Sequence, residues 1–226
     1  MCKIIKFILS IPKTILFNFR VFPFKVALKF PVLVAYNVKI VNVNRGSFII
    51  DSDITTFMIK INWDRGSEGI NHSLSSSGYL DVKKKGKIVF KGKANFSIGT
   101  SIRVDEGELS FGYNFSCNRH CLFSCNNAIS IKDNVLLGWN VNIRDSDGHN
   151  IFNRDNPETI TNYPKYVEIG NNVWLTANVD VLKGSKISDN CIVGYNSCVT
   201  RKFEEKNCII SGYPAQVIKK NVIWEK

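Results

Sequence analysis

The sequence IGNNVWLTANVDVLKGSKISDNCIVGYNSCV, residues 169–199, has the most regular pattern in the chain. An aliphatic side chain stands at every sixth position, namely at Ile169, Leu175, Val181, Ile187, Val193 and Val199. A second small or apolar side chain follows four positions after each of the first five, at Val173, Val179, Ser185, Cys191 and Ser197. A period of six fits neither an α-helix nor a simple alternating strand. It predicts a hexapeptide β-helix, in which short strands and corners alternate and the aliphatic side chains stack inward.

The same phase extends towards the N-terminus, with one shift. Ile131 and Leu137 keep it, whereas an earlier run of Phe111, Cys117 and Phe123 is offset by two residues. We therefore expect an insertion in register near residues 126–127. Residues 32–97 are less regular and predict irregular strands and the first coils, so residues 32–226 form one β-helix domain with a C-terminal tail at 208–226.

Residues 1–31 form a separate basic, amphipathic segment. The chain has a net charge of +11, and no Asp or Glu occurs before Asp51. Lysines and Pro12, Pro23 and Pro31 interrupt the apolar run, so it is too short to span a bilayer, which needs about 20 apolar residues. Nor does the segment have the pattern of a cleaved signal peptide. Two interpretations stay open: a short helix that caps the β-helix, or a segment that contacts an anionic membrane.

Seven cysteines raise the question of a metal site or disulfides. Cys117, Cys121 and Cys125, with His120 among them, lack the paired spacing that zinc sites use. Cys117, Cys121 and Cys191 fall in inward positions of the hexads, which indicates core residues in a reducing compartment. We expect no metal and a cytoplasmic protein. Nucleic-acid binding is not indicated, because only the net charge favours it.

The hexad period stops in a long loop, residues 144–166. The loop carries His149 close to Asp145 and Asp147. A histidine whose tautomer is fixed by a neighbouring carboxylate can act as a general base near neutral pH. A surface histidine in a loop is the alternative. Long loops that leave a solenoid are nevertheless often functional.

Four motifs together resemble the hexapeptide-repeat acyltransferases, left-handed parallel β-helix enzymes of the maltose and galactoside O-acetyltransferase type. The motifs are IKDNVLLG (131–138), Gly148-His149, IGNNVWL (169–175) and ISGYPAQVI (210–218). The resemblance covers residues 111–220. It implies an all-β fold, acetyl-CoA as co-substrate, and a homotrimer with active sites between subunits. From the residues themselves we expect a short α-helical N-terminal segment and an extended active-site loop at residues 144–166.

The resemblance also implies roles for individual residues. His149 would be the general base, Asp147 would assist it, and Asn118 and Asp145 would bind the acceptor. Coenzyme contacts are expected from Trp174, Thr176, Ala177, Ser197, Thr200, Arg201 and Lys202. Plain structural roles are the alternative for each: a corner residue for Asn118, a cap on the loop for Trp174, solvated charge for Arg201 and Lys202.

The N-terminal half differs from that of the sugar acetyltransferases. The DSDGH motif (145–149) and the basic N-terminus look more like those of relatives that act in the assembly of capsule, exopolysaccharide or lipopolysaccharide. The leading hypothesis is therefore an acetyl-CoA-dependent O-acetyltransferase that modifies a sugar hydroxyl of a surface polysaccharide or its lipid-linked or nucleotide precursor. It would work in the cytoplasm or at the inner face of the bacterial cytoplasmic membrane. N-acetylation of an amino sugar nucleotide or small amine is one alternative, and a non-catalytic membrane-associated scaffold is another.

Overall fold

The computed structural model describes residues 3–63 and 76–225 of the chain. Helices α1 (Lys3–Val21) and α2 (Phe24–Ala27) come first. Short strands then wind through three sheets, each strand of a coil belonging to the next sheet. Because every third strand pairs in parallel, the coils stack into a three-sided prism.

The strands fall into three sheets, A, B and C, in the order in which the chain meets them. Sheet A contains β1 (Val32–Val34), β4 (Ile59–Ile61), β7 (Ala94–Phe96), β10 (Phe115–Cys117), β13 (Leu136–Leu137), β16 (Trp174–Leu175), β19 (Ile192–Val193), β22 (Cys208–Gly212) and β23 (Ala215–Lys220). Sheet B contains β2 (Val38–Val41), β5 (Gly78–Val82), β8 (Ser101–Val104), β11 (Leu122–Cys125), β14 (Asn142–Arg144), β17 (Asp180–Val181) and β20 (Cys198–Val199). Sheet C contains β3 (Phe48–Ile50), β6 (Lys87–Phe90), β9 (Glu108–Phe111), β12 (Ala128–Ile131), β15 (Val167–Ile169), β18 (Lys186–Ile187) and β21 (Lys202–Phe203).

This architecture confirms the predicted fold class, a left-handed parallel β-helix with a helical N-terminal segment. The six aliphatic side chains that recur at every sixth position of residues 169–199 are all fully buried. The predicted insertion is also present. Ile169 pairs with Ile187, 18 residues on, whereas Phe111 pairs with Ile131, 20 residues on. The irregular segment 32–97 already contains the first coils, since β1 begins at Val32.

Asparagines make many of the corners. Asn140, Asn178 and Asn196 follow strands of sheet A with positive φ, a conformation that asparagine tolerates better than most residues. Their side chains also link the coils, since the amide of Asn140 donates to Asn178 at 3.1 Å. His120 has the same positive φ, 61°, one coil earlier, so its position is that of a corner residue.

The core changes character along the prism axis. Towards the N-terminal coils it is filled by buried rings, which pack with centroids 4.6–6.2 Å apart and belong to Phe90, Phe96, Phe111, Phe115 and Phe123. In the later coils the aliphatic hexad residues replace them. The six described cysteines are free and buried, in agreement with the predicted core role. Burial raises the pKa of the Cys208 thiol to about 12. The described residues hold no cluster of three or more potential metal ligands.

Candidate active site

The extended loop leaves the prism after β14 and returns before β15, at the corner between sheets B and C. Asp147 anchors it to the next coil, because the Lys183 ammonium lies 2.5 Å from the Asp147 carboxylate. The Lys183 hydrogen bond, followed by one from Asn162, holds the pKa of Asp147 below its usual value. The loop therefore has a defined attachment point beside His149.

His149 itself is exposed, and the loop backbone positions it. The Asn162 amide donates to the His149 carbonyl and to the Asp147 carboxylate, at 2.8 Å each. The Asn162 oxygen accepts the Ile151 N–H at 2.6 Å. In the described part of the chain, no hydrogen bond joins the His149 imidazole to Asp147. Asp147 thus supports the loop in this structure, and its predicted assistance to the His149 imidazole stays a prediction.

Asp145 has a structural role in this structure, and its predicted contact with the acceptor stays a prediction. The side chain is fully buried. Its two oxygens accept the backbone N–H groups of Asn126 and Asn127 at 2.8 and 2.7 Å. These are the two residues of the inserted corner, so Asp145 satisfies the donors that the insertion leaves without a strand partner. Both carboxylate oxygens of Asp145 therefore already have partners within the chain.

Asn118 lies at a different corner, between sheets A and B. Strand β10 pairs with β13, and β13 pairs with β16. Asn118 and Thr176 therefore occupy equivalent positions, one above the other, two coils apart. Coils are one strand spacing apart, which puts the two residues about 10 Å from each other along the prism. Ala177 and Ser197 follow at the same corner. The Ser197 hydroxyl accepts the Gly212 N–H at 3.1 Å, so its oxygen already has a partner.

Unpaired polar atoms mark this A–B side. Among the described residues, the Trp139 indole N–H and the hydroxyls of Thr176 and Ser116 are buried without a hydrogen-bond partner. Such groups cost free energy unless a ligand or another chain supplies the partner. Trp139 and Ser116 were not predicted as site residues. Trp139 occupies the same corner position as Ala177 in the next coil. A large indole at a position where the next coil has a small side chain is the only sequence signal for it.

Trp174 lies on the outer face of sheet A, against the C-terminal tail. Its ring centroid is 5.9 Å from that of Trp224, whose indole N–H donates to the Asn172 carbonyl at 2.8 Å. Trp224 is a third residue that the sequence did not reveal, because it lies 50 positions after Trp174 in the chain.

Arg201 and Lys202 return to the B–C side, near the last coil. With Lys220, Glu204 and Glu205 they line an open groove of about 430 Å³. The Arg201 guanidinium lies 5.0 Å from the Phe203 ring, and Thr200, Arg201 and Lys202 are all exposed. Glu205 is paired with Lys220, and Glu204 with Lys186. Arg201 and Lys202 are therefore available for an anionic ligand.

A larger cavity, of about 560 Å³, lies on sheet A near the N-terminal end. Its lining includes Lys60, Trp63, Lys93, Asn95 and the unpaired Ser116. Thr55, Lys93 and Asn114 also line it, and they precede β4, β7 and β10, so the cavity lies mainly where the chain enters sheet A.

The predicted site residues thus divide into two groups within one chain. His149, Thr200 and Arg201 belong to the B–C corner, whereas Asn118, Thr176, Ala177 and Ser197 belong to the A–B corner. In a three-sided prism these two corners lie at opposite edges of sheet B, so the width of that sheet separates them. One chain therefore does not bring the predicted base and the predicted acceptor amide together.

The chain is similar in sequence to known O-acetyltransferases. No family model matches the chain. A putative lipopolysaccharide biosynthesis O-acetyl transferase, WbbJ of Escherichia coli, is 32% identical over 160 residues, which cover 64% of this chain and 80% of that relative. Galactoside O-acetyltransferase of Escherichia coli is 32% identical over 126 residues, 55% of this chain and 56% of that relative. The crystal structure of the polySia specific acetyltransferase NeuO aligns with 87% of this chain and 89% of its own, with 19% identity and a TM-score of 0.47.

Proposed function

Because the chain belongs to the hexapeptide-repeat O-acetyltransferases, we propose that it transfers the acetyl group of acetyl-CoA to a sugar hydroxyl of a surface polysaccharide or its lipid-linked or nucleotide precursor. The observation that carries the proposal is the 32% identity to an O-acetyl transferase named for lipopolysaccharide biosynthesis, over 80% of that relative. His149, which the long loop carries, would supply the chemistry.

His149 is the proposed general base. Its imidazole takes the proton of the acceptor hydroxyl as the oxygen attacks the thioester carbonyl. The carbon–sulfur bond then breaks, and the imidazolium returns the proton to the departing thiolate. No covalent enzyme intermediate forms. The exposed side chain and the loop backbone, fixed by Asn162 and Lys183, favour this role.

Coenzyme binding is proposed for the two groups of predicted residues. Arg201 and Lys202 would pair with the phosphates, because two cations beside an open groove suit a polyanion. Thr176 would use its unpaired hydroxyl on the pantetheine, while Ala177 and Ser197 would contribute backbone groups. Trp174 would contact the coenzyme with the part of its ring that Trp224 leaves uncovered.

A homotrimer would complete the site. His149 and Asn118 lie at different corners of one prism, so a neighbouring copy must supply one of them if both act on the same substrate. The unpaired Trp139 N–H at the A–B corner supports a partner there.

The cavity on sheet A is the proposed path for the acceptor. Lys60 and Lys93 offer ammonium groups, Asn95 offers an amide and Trp63 an indole face. This lining suits an acidic or phosphorylated sugar, in which hydroxyls and anionic groups alternate. We place the reaction in the cytoplasm, at the inner face of the membrane, where lipid-linked precursors are assembled.

Thiol release from acetyl-CoA tests the proposal. The acceptors are neutral oligosaccharides, acidic oligosaccharides, sugar nucleotides and small amines. Release that needs a sugar hydroxyl, with an acetyl ester in the product, supports it. Release with amines alone would establish N-acetylation instead. If acetyl-CoA does not bind at all, the protein is a scaffold and the proposal fails.

A further inference from the structure

Helix α1 presents its polar side to the protein. Ser10, Thr14 and Asn18 are four residues apart and buried. Their side chains bond to the free edge of β1 and the residue beyond it. Asn18 exchanges hydrogen bonds with Val32 at 2.7 and 3.2 Å, Thr14 bonds to Val34 at 3.1 and 3.2 Å, and Ser10 accepts the Tyr36 N–H at 3.0 Å.

The spacing explains why this contact works. Four helical residues advance about 6.0 Å and two strand residues about 6.6 Å, so one polar side chain reaches each outward-facing peptide of the strand. An open strand edge otherwise exposes unpaired backbone groups. The helix is therefore a cap, as one of the two interpretations of this segment predicts. Polar residues make its contact with the strand edge, while Phe17 and Val21 on the same helix are buried in the core.

The consequence is an apolar surface that faces away from the protein. We call this surface the apolar ridge. Its side chains are between 40% and 72% exposed and belong to Ile4, Ile5, Ile8, Leu9, Ile11, Ile15, Leu16 and Phe19. A helix that only packs on a soluble domain shows the opposite arrangement, with its apolar side buried. Exposed apolar surfaces of this kind mark a contact with a membrane or with another protein.

An apolar crevice continues the ridge. It has a volume of about 230 Å³ and lies between α1 and the first coils. Ile11 and Ile15 line it from the helix, and Phe30, Leu33 and Phe57 from the body of the protein. Apart from Thr14, its lining side chains are hydrocarbon, which suits the end of an acyl chain.

Positive charge surrounds the ridge. Lys3, Arg20, Lys25 and Lys29 are exposed on α1, on α2 or just after it, and the sequence has no acidic residue before Asp51. Basic side chains beside an apolar helical face are the features of a helix that lies in the interface of an anionic membrane. Neither α1 nor α2 has the length and apolar content needed to cross a bilayer.

We propose that α1 docks the protein on an anionic lipid bilayer, with the apolar ridge inserted among the acyl chains and the flanking lysines on the headgroups. Lys3 also lines the large cavity on sheet A, so docking would hold that cavity beside the membrane surface. The proposal gives a lipid-linked acceptor a direct route to the site. It rests on residues other than those of the proposed reaction, and the two can fail independently.

Co-sedimentation with vesicles tests the proposal. The vesicles consist of phosphatidylcholine alone or of phosphatidylcholine with phosphatidylglycerol. We expect binding to the anionic vesicles and a loss of about 100-fold in affinity for Ile8→Ser/Leu16→Ser, because each buried aliphatic side chain contributes substantially to insertion. Lys25→Gln/Lys29→Gln should weaken binding about 10- to 30-fold. The matched control is Ile218→Ser/Ile223→Ser, which removes exposed isoleucines at the other end of the prism.

Two further measurements make the result decisive. The ridge variant should keep the wild-type melting temperature and the wild-type rate on a water-soluble acceptor, which excludes misfolding and separates docking from catalysis. Wild-type protein that ignores anionic vesicles, or a ridge variant that binds them equally well, overturns the proposal. A ridge variant that changes the oligomeric size without any vesicle binding would assign the ridge to a contact between copies, and would also overturn it.

Discussion

The Lys183 ammonium and the Asp147 carboxylate lie 2.5 Å apart, although 36 positions separate the two residues in the chain. Lys183 belongs to the β-helix and Asp147 to the long loop, so this pair fixes the loop that carries His149. Lys183 also donates to the Asn162 carbonyl at 3.2 Å. The rigid coil therefore determines where the proposed base stands.

Removing this tether should slow the reaction. We expect Lys183→Met to lower kcat about 10- to 100-fold with little change in the KM of acetyl-CoA, because a misplaced base loses its alignment with the acceptor. Steady-state kinetics measures both constants. Lys206→Met is the matched control, since it removes a similar lysine–aspartate pair at another corner. An unchanged kcat in Lys183→Met would show that the loop positions His149 without the tether.

The pKa of Asp147 reports directly on the contact between Asp147 and Lys183. Hydrogen bonds from Lys183 and Asn162 lower the pKa of Asp147 from 3.8. A lowered pKa means that the carboxylate stays charged, and the tether intact, as the pH falls to about 4, and that both are lost only below that value. In Lys183→Met the pKa of Asp147 should rise, as measured by carbon NMR of the carboxyl group. Asp189, whose pKa is lowered first by Lys206, should not change. A rise in both would point to a general loss of structure.

Asp145 should matter for stability rather than for the acceptor. We expect Asp145→Ala to lower the free energy of unfolding by about 1–3 kcal/mol, because two backbone N–H groups lose the fully buried carboxylate that accepts them. Urea denaturation measures the change, and Asp147→Ala, in the exposed part of the loop, is the comparison. A stable Asp145→Ala protein with a raised KM for the acceptor would instead support the acceptor role predicted from the sequence.

A site shared between copies predicts complementation. His149→Ala and Asn118→Ala should each be nearly inactive alone. After equal amounts are unfolded and refolded together, about a quarter of the sites in a cyclic trimer should contain both native residues. Acetyl transfer should return to roughly that fraction of wild type. Two inactive variants that stay inactive after verified mixing would place both residues within one chain's site, against the shared arrangement.

The sequence predicts the β-helix well because each hexad repeats one physical requirement, an inward aliphatic side chain. Ile169 and Ile187 reveal their stacking through spacing alone. The two-residue shift near residues 126–127 is likewise visible as a change of phase. Asp145 accepts the backbone N–H groups of the resulting corner. The sequence does not distinguish Asp145 from Asp147, since only their neighbours in space differ.

The orientation of α1 is a second feature that the sequence alone does not predict. In the sequence, Ser10, Thr14 and Asn18 read as polar interruptions of an apolar helix. Only the position of β1 shows that they face inward and that the apolar ridge faces outward. The same holds for the site: Trp139 and Trp224 have no pattern of their own, and their contacts depend on distant coils. The roles of His149, Asn118 and the coenzyme residues remain predictions.

The most direct test of the account compares kcat/KM for acetyl transfer in wild type, His149→Ala and Asn150→Ala, with the best sugar acceptor. Asn150 is the exposed neighbour of His149 and controls for disturbance of the loop. We predict that His149→Ala loses about 100- to 10,000-fold, the usual contribution of a general base, whereas Asn150→Ala stays close to wild type. Full activity in His149→Ala would contradict the proposed mechanism.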